Sequence, residues 1–289
     1  MTNLTIENEQ ETYSESDFWI EGGLLIKYYG TDEHLVIPDG VKEIGEFSFG
    51  NMGTVKSVKI PDSVVKISKR AFYQCECLES VELSNNLQEI GERAFEGCHQ
   101  LKSVTCLSTL EIIGARAFYG CKQLGSVPLP LTLKVIGAYS FYQCENLTSL
   151  VVPKNVMRIG EYAFACCSNI KTVKICEGVK EIFNYAFSYC KELYSVILPD
   201  TLVLLGSSVF FRCEKLERIR LSNALKIIGA CMFEDCKSLK FVYLPNSVEE
   251  LQSATFRGCV LLESVVTPKG LSNIKTQNST FENCPKLIR

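Results

Sequence analysis

Two histidines, His34 and His99, are all that the 289-residue sequence contains. Histidine is the commonest metal ligand and the usual proton carrier near neutral pH, so most catalytic and metal chemistry is set aside at once. The two stand nearly three repeat periods apart, which leaves a Cys–His or Ser–His–Asp set without an assembly. No run of apolar residues approaches the ~18 of a membrane-spanning helix; Leu202 to Leu205 is typical of the longest. An excess of one charge is also missing. The 30 Lys+Arg and 33 Asp+Glu leave a formal net charge of −3, with no basic surplus for nucleic acid or an anionic membrane. Glycines recur singly, so no Gly-rich phosphate loop is expected. Thr2 to Ser16 is polar and acidic, and no secretory signal is expected there.

What is abundant is cysteine, with fifteen copies, in a chain that is 46% apolar. Cysteine-dense chains are usually small secreted scaffolds, but a chain of this length builds its own core without such staples. The spacing decides the matter. A Phe followed three residues later by Cys recurs from Phe72/Cys75 through Phe164/Cys167 to Phe256/Cys259, every step being 23 residues. Phe281/Cys284 follows after 25, and Phe49 leads the series with Met52 in the Cys place. Ten of the fifteen cysteines share this column.

Other columns run in phase. Nine residues after the Phe come Val58, Val81, Val104, Val127, Leu150 and their successors, and two further on Ile60, Leu83, Cys106 and Leu129. That alternation is strand-like, and Pro61, Pro130, Pro153, Pro199, Pro245 and Pro268 end it. A second apolar pair follows (Leu87/Ile90, Val156/Ile159), then a glycine such as Gly91, Gly137 or Gly160. This glycine marks either a corner with positive φ or close packing between coils. Ala-Phe-x-x-Cys reads as a turn or helical turn back to the next strand. One coil cannot bury its apolar side, whereas stacked coils can. Phe18 to Tyr28 reads as a hairpin turning at Gly22-Gly23. The expected organisation is therefore a polar segment and hairpin cap over residues 1–34, then a solenoid of about eleven 23-residue coils over 35–289.

The unit L-x-S-V-x-L-P-x-x-L-x-x-I-G-x-x-A-F-x-x-C resembles the BspA-type leucine-rich repeat. Leu193-Tyr194-Ser195-Val196-Ile197-Leu198-Pro199 and Ile159-Gly160-Glu161-Tyr162-Ala163-Phe164-Ala165-Cys166-Cys167 carry its two halves. Asn86, Thr132 and Asn155 hold the place where the generic leucine-rich motif has Asn or Cys, and the Phe/Cys corner is additional. The resemblance implies an α/β repeat protein: a curved right-handed solenoid with a parallel sheet along one face, mostly strand and turn with short helical turns. The family is known mainly from bacterial and protist surface proteins linked to adhesion and host-protein binding. It thus implies a non-enzymatic, secreted or surface scaffold that recognises a protein or glycan through its sheet face. The alternative is a cytoplasmic recognition or inhibitory module, which unpaired thiols and the lack of a visible signal favour. A purely structural spacer is the third class. The expectation is a monomer with no cofactor, no metal, no nucleic-acid partner and no membrane insertion.

Each candidate site also has a plainer reading. The cysteine column reads as small buried hydrophobes beside Phe. Disulfides are the alternative, because coils ~4.8 Å apart fall within the bridging range. One Cys per coil gives a column and not a zinc tetrahedron. On the strand face Ser57, Ser80, Ser103, Ser126, Ser149, Thr172 and Ser195 form a strip, which Arg218 and Phe241 interrupt. Beside them stand Tyr194, Ile197, Arg220, Lys240, Tyr243 and Val266. Exposed aromatics with Arg are the stuff of binding hot spots, while strands also favour aromatics for packing alone. Two residues before the Phe, Arg70, Arg93 and Arg116 give way to Tyr139, Tyr162 and Tyr185. Stacked arginines need relief from carboxylates, and Glu92 is adjacent; a phosphate or sulfate ligand there lacks a supporting net charge.

Overall fold

The computed structural model describes residues 17–105 and 108–288. The polar segment Thr2 to Ser16, the strand position Cys106 and the terminal Arg289 lie outside the described residues. Phe18–Glu21 and Leu24–Tyr28 pair antiparallel around Gly22 and Gly23, both in the left-handed region (φ 57° and 86°). Leu24 and Leu25 then pair in parallel with Glu43 and Ile44, so the hairpin continues directly into the stacked coils.

Each coil has two extended legs, and both are laddered with the neighbouring coils along most of the array. The face strands, such as Ser57–Lys59 and Ser80–Glu82, pair in parallel with Val58 opposite Val81. The second legs contribute two-residue strands, such as Glu89–Ile90 and Arg158–Ile159, to a ten-stranded sheet that includes the hairpin. Of the two readings of the Phe corner, turn or helical turn, the structure has the turn. Helical structure within the coils is a three-residue 3-10 turn, Leu271–Asn273, among the described residues, and the Phe corner is a series of turns.

Left-handed backbone makes that corner. Around Phe164, Tyr162 (φ 53°) and Cys166 (φ 60°) both adopt it, as do Arg70 and Gln74 around Phe72. Non-glycine residues resist this conformation. Here their N–H groups are met by the next coil: Tyr162 donates to Asn184 O (3.0 Å) and Cys166 to Ser188 O (2.8 Å). The recurrent glycine does the other job. A Cβ on Gly160 would lie 2.5 Å from Ala138 N, and one on Gly137 2.5 Å from Ala115 N. Close packing between coils, and not positive φ, therefore explains that column.

The core follows from the columns. Phe72, Phe95, Phe118, Phe141, Phe164, Phe187, Phe210, Phe233 and Phe256 are wholly buried, with rings stacked nearly parallel, as at Phe141–Phe164 (5.1 Å, 3°). Stacked Phe rings and the aliphatic columns give one continuous apolar core. At the opposite turn the Asn/Thr place bridges coils: Thr132 Oγ1 donates to Leu110 O (2.8 Å) and Asn155 Nδ2 to Leu131 O (2.6 Å).

The face sheet breaks twice. Pro128 sits where a strand residue should donate, and the expected strand at Ser126 to Leu129 is reduced to one bridge, Ser103 to Ser126. The second break lies between Ser195–Ile197 and Arg218–Arg220, and the second legs Leu204–Leu205 and Ile227–Ile228 part at the same level. The residue just before the Phe is Ala or Ser from Ser48 to Ala186, then becomes Val209 and Met232, both fully buried. Their added volume spreads the coils, because a close-packed column cannot absorb extra carbons without movement. The Phe187–Phe210 and Phe210–Phe233 steps widen to 6.0 and 5.8 Å, against 4.8 to 5.5 Å at the other steps from Phe49 to Phe281. The corner hydrogen bonds persist across the seam, with Phe210 N donating to Met232 O at 3.1 Å.

Candidate binding face

Side chains of the face strands alternate between core and solvent, so the position before and the position after each buried Val project outward. With the residue two before the Val, such as Lys56 or Lys171 just ahead of its strand, they make three outward columns along the solenoid. In the first coils their charges cancel between neighbours. Lys56 pairs with Glu33 (2.6 Å), Lys102 with Glu79 (2.6 Å), and Lys59 with Glu82 (4.0 Å).

Beyond the Pro128 break the character changes. Tyr194 (51% exposed), Ile197 (56%), Phe241 (37%), Tyr243 (49%) and Val266 (42%) all project from the face. The parallel register sets Arg218 opposite Phe241, and Arg220, Tyr243 and Val266 in one row. On the other side of the seam Tyr194 immediately precedes the strand Ser195–Ile197, and Ile197 stands opposite Lys174. Arg220 reaches Asp200 (3.3 Å). Lys171, Lys174, Arg218 and Lys240 make no ion pair among the described residues.

The seam opens a groove of about 480 Å³ within this patch, lined by Tyr194, Ser195, Val196, Glu217, Arg218, Ile219, Arg220 and Tyr243. Four of these were singled out from the sequence: Tyr194, Arg218, Arg220 and Tyr243. Ile197, Lys240, Phe241 and Val266 lie outside the groove lining. Ser195, Val196, Glu217 and Ile219 were missed because they continue the ordinary repeat pattern. The readable signal was indirect, the change from Ala186 to Val209 and Met232 in a column behind the face. Its effect is measurable at the strand: Val196 and Leu198 are half-buried, whereas Val173 and Ile175 one coil earlier are buried.

Other candidate chemistry resolves into structure. From Cys75 to Cys259 the column thiols form no disulfide with one another, so the disulfide alternative is not realised there. Each column thiol donates to the carbonyl of the preceding coil's Phe, as Cys167 does to Phe141 O (3.1 Å). Burial pushes these thiols up: Cys121, Cys144, Cys167 and Cys190 all titrate above the ordinary thiol value of 9.0. Desolvation thus disfavours the nucleophilic thiolate at these four positions. His34 Nδ1 lies 2.8 Å from Ser57 Oγ, and His99 Nδ1 2.8 Å from Gly120 O, on separate coils. Among the described residues no group of three or more His, Cys, Asp or Glu is placed to hold a metal ion. No helix among them is long and apolar enough to cross a membrane. The arginine column is neutralised in two ways. Arg93 meets Glu92 (3.5 Å) and Glu96 (3.4 Å), while Arg116 lies over the Tyr119 and Tyr139 rings (5.6 and 5.1 Å).

Comparison with known proteins agrees with this architecture. A leucine-rich repeat protein from Bacteroides ovatus superposes with a TM-score of 0.75 at 25% identity, covering 96% of this chain and 79% of that one. A leucine rich cell surface protein from Faecalibacterium prausnitzii gives 0.52 at 26% identity, covering 96% and 93%. The T. pallidum leucine-rich repeat protein gives 0.56 at 28% identity, covering 71% and 90%. No curated protein matches the chain by sequence. The BspA type leucine rich repeat region matches in six copies over residues 28–130, 66–194 and 158–288. With its 23-residue coils, Phe corner and laddered legs accounted for and nearly its whole length matched, this chain belongs to the BspA-type leucine-rich repeat family.

Proposed function

We propose that this protein is a non-enzymatic recognition scaffold that holds a protein or glycan partner on the C-terminal third of its face. The observation that carries this reading is the concentration of exposed aromatic and aliphatic side chains with unpaired basic groups on a regular strand surface. Aromatic bodies give apolar contact with little entropy loss, and Arg gives planar charge-assisted hydrogen bonds. In the F. prausnitzii relative the same fold is described as a cell surface protein, which supports a surface adhesion or host-contact role. A second reading, an intracellular recognition module, is favoured by the free thiols, since oxidising compartments turn neighbouring thiols into disulfides.

The test is a paired substitution. A partner is recovered by cross-linking to the intact protein, and its affinity is measured for Arg218→Ala with Tyr243→Ala. That pair should weaken binding by more than about 2 kcal/mol while leaving the melting temperature nearly unchanged, because neither side chain is core. Lys56→Ala with Lys59→Ala, on the first coils of the same face, is the matched control. Equal loss from both pairs, or loss from neither, would place the contact elsewhere.

A further inference from the structure

We propose that the seam groove and its basic rim take an acidic, extended segment of a partner protein. This rests on the face being the binding surface and adds the chemistry of what binds there. The first support is charge. Toward the N-terminal end every lysine on the face has a carboxylate partner, at Glu33, Glu79 or Glu82. Around the seam Lys171, Lys174 and Arg218 stand exposed and Lys240 half-buried, with only Glu217 and Glu263 of opposite sign in the same outward columns. A chain of net charge −3 thus carries a local positive field on one stretch of one face, and such a field selects an anionic partner.

Geometry narrows the class. The groove is about 480 Å³ and has arginines at two positions, Arg218 and Arg220. It accommodates one or two side chains, and a carboxylate entering it meets guanidinium donors suited to bidentate bonding. Arg220 already donates to Asp200 at 3.3 Å and Glu217 also lines the groove, so Arg218, which has no ion pair among the described residues, is the guanidinium open to a partner's carboxylate. Three coil steps separate Lys174 from Tyr243 along the row, roughly 14 Å at ~4.8 Å per step, the span of four or five extended residues. Carboxylates about four residues apart would therefore reach both ends of the patch. Apolar Tyr194, Ile197 and Tyr243 line the same path. They favour a polypeptide with Leu or Tyr between its acidic residues over a sulfated glycan, which has no aliphatic side chains to bury.

The experiment uses the full chain and a fluorescein-labelled peptide of alternating Glu with Leu and Tyr, read by anisotropy. Its counterparts are the same peptide with Lys for Glu, and a heparin fragment. The acidic peptide should bind, and raising the salt from about 0.05 to 0.3 M should weaken it about tenfold, since exposed charges are screened over that range. Lys171→Gln with Lys174→Gln, and separately Arg218→Gln, should each weaken it about fivefold or more, while Lys56→Gln with Lys59→Gln changes it less than about twofold. Tighter binding of heparin or of the basic peptide overturns the proposal, as does equal loss from the control pair. If the acidic peptide fails but Arg218→Ala with Tyr243→Ala still weakens the affinity for the partner found by cross-linking, the acidic chemistry is wrong and the face reading stands. If both fail, the face itself is not the site.

Discussion

Cysteine at the corner is chosen for two properties at once. It is small enough to sit beside a stacked Phe, and its S–H is a weak donor that satisfies a buried carbonyl of the coil before. The distances are uniform down the array, from 3.1 Å at Cys75 to 3.3 Å at Cys213 and 3.0 Å at Cys259. Desolvation disfavours the thiolate, so Cys98, Cys121, Cys144, Cys167, Cys190, Cys213, Cys236 and Cys259 all have raised pKa values. In the unfolded chain these thiols ionise near the ordinary value of 9.0. The unfolded state therefore releases protons first as pH rises, and the stabilisation is whole below that value and shrinks above it. At about pH 10 the folded protein should show little thiolate ultraviolet absorbance from the column, with a steep rise on urea unfolding. The urea midpoint should fall between about pH 8 and 10. Full thiolate absorbance in the folded protein would show that the column is open to water.

Within a single coil the Phe corner is the element on which stacking turns. Phe164 is fully buried between Phe141 and Phe187, at ring separations of 5.1 and 5.4 Å. Phe164→Ala removes the whole ring from a column with no freedom to collapse, and should cost about 3–5 kcal/mol. Because each coil contacts only its neighbours, the loss is expected first as local uncoupling of the adjoining coils. Urea unfolding followed by amide exchange separates the two effects. A change within about 0.5 kcal/mol would put the ring on the surface.

Across the whole molecule the corner is continuous while the legs are not. Phe rings stack without interruption from Phe49 to Phe281. Both ladders part at the seam below Val209 and Met232. Leu221 N donates to Tyr243 O (3.3 Å) and Leu244 N to Val266 O (2.8 Å), whereas Leu198 N has no backbone acceptor among the described residues. Leu198 should therefore exchange its amide proton faster than Leu221 and Leu244 by about tenfold or more. Val209→Ala with Met232→Ala should draw the coils together and slow that exchange. Equally slow exchange at all three amides in the unaltered protein would mean that the seam is closed in solution.

Periodicity in the sequence carried the fold because every coil repeats the same contacts with the next. An equal 23-residue step therefore translates directly into a column in space, and the Phe stack, the buried Val column and the hairpin at Gly22-Gly23 were all legible. The left-handed corner was half legible. Asn51, Gly97, Gly120, Asp235 and Gly258 favour it two residues after the Phe. Arg70, Tyr162 and Ala254 two residues before it do not, and neighbouring coils hold them there by backbone hydrogen bonds. The patch from Tyr194 to Val266 showed in the sequence as a break in a serine strip, but the groove inside it did not. Tertiary packing made that groove, because a larger side chain buried behind the face spreads two coils whose own strand residues keep the ordinary pattern. Packing also decided which charges cancel: a lysine beside a glutamate one coil away is neutralised, and Lys171, Lys174 and Arg218 face outward without one.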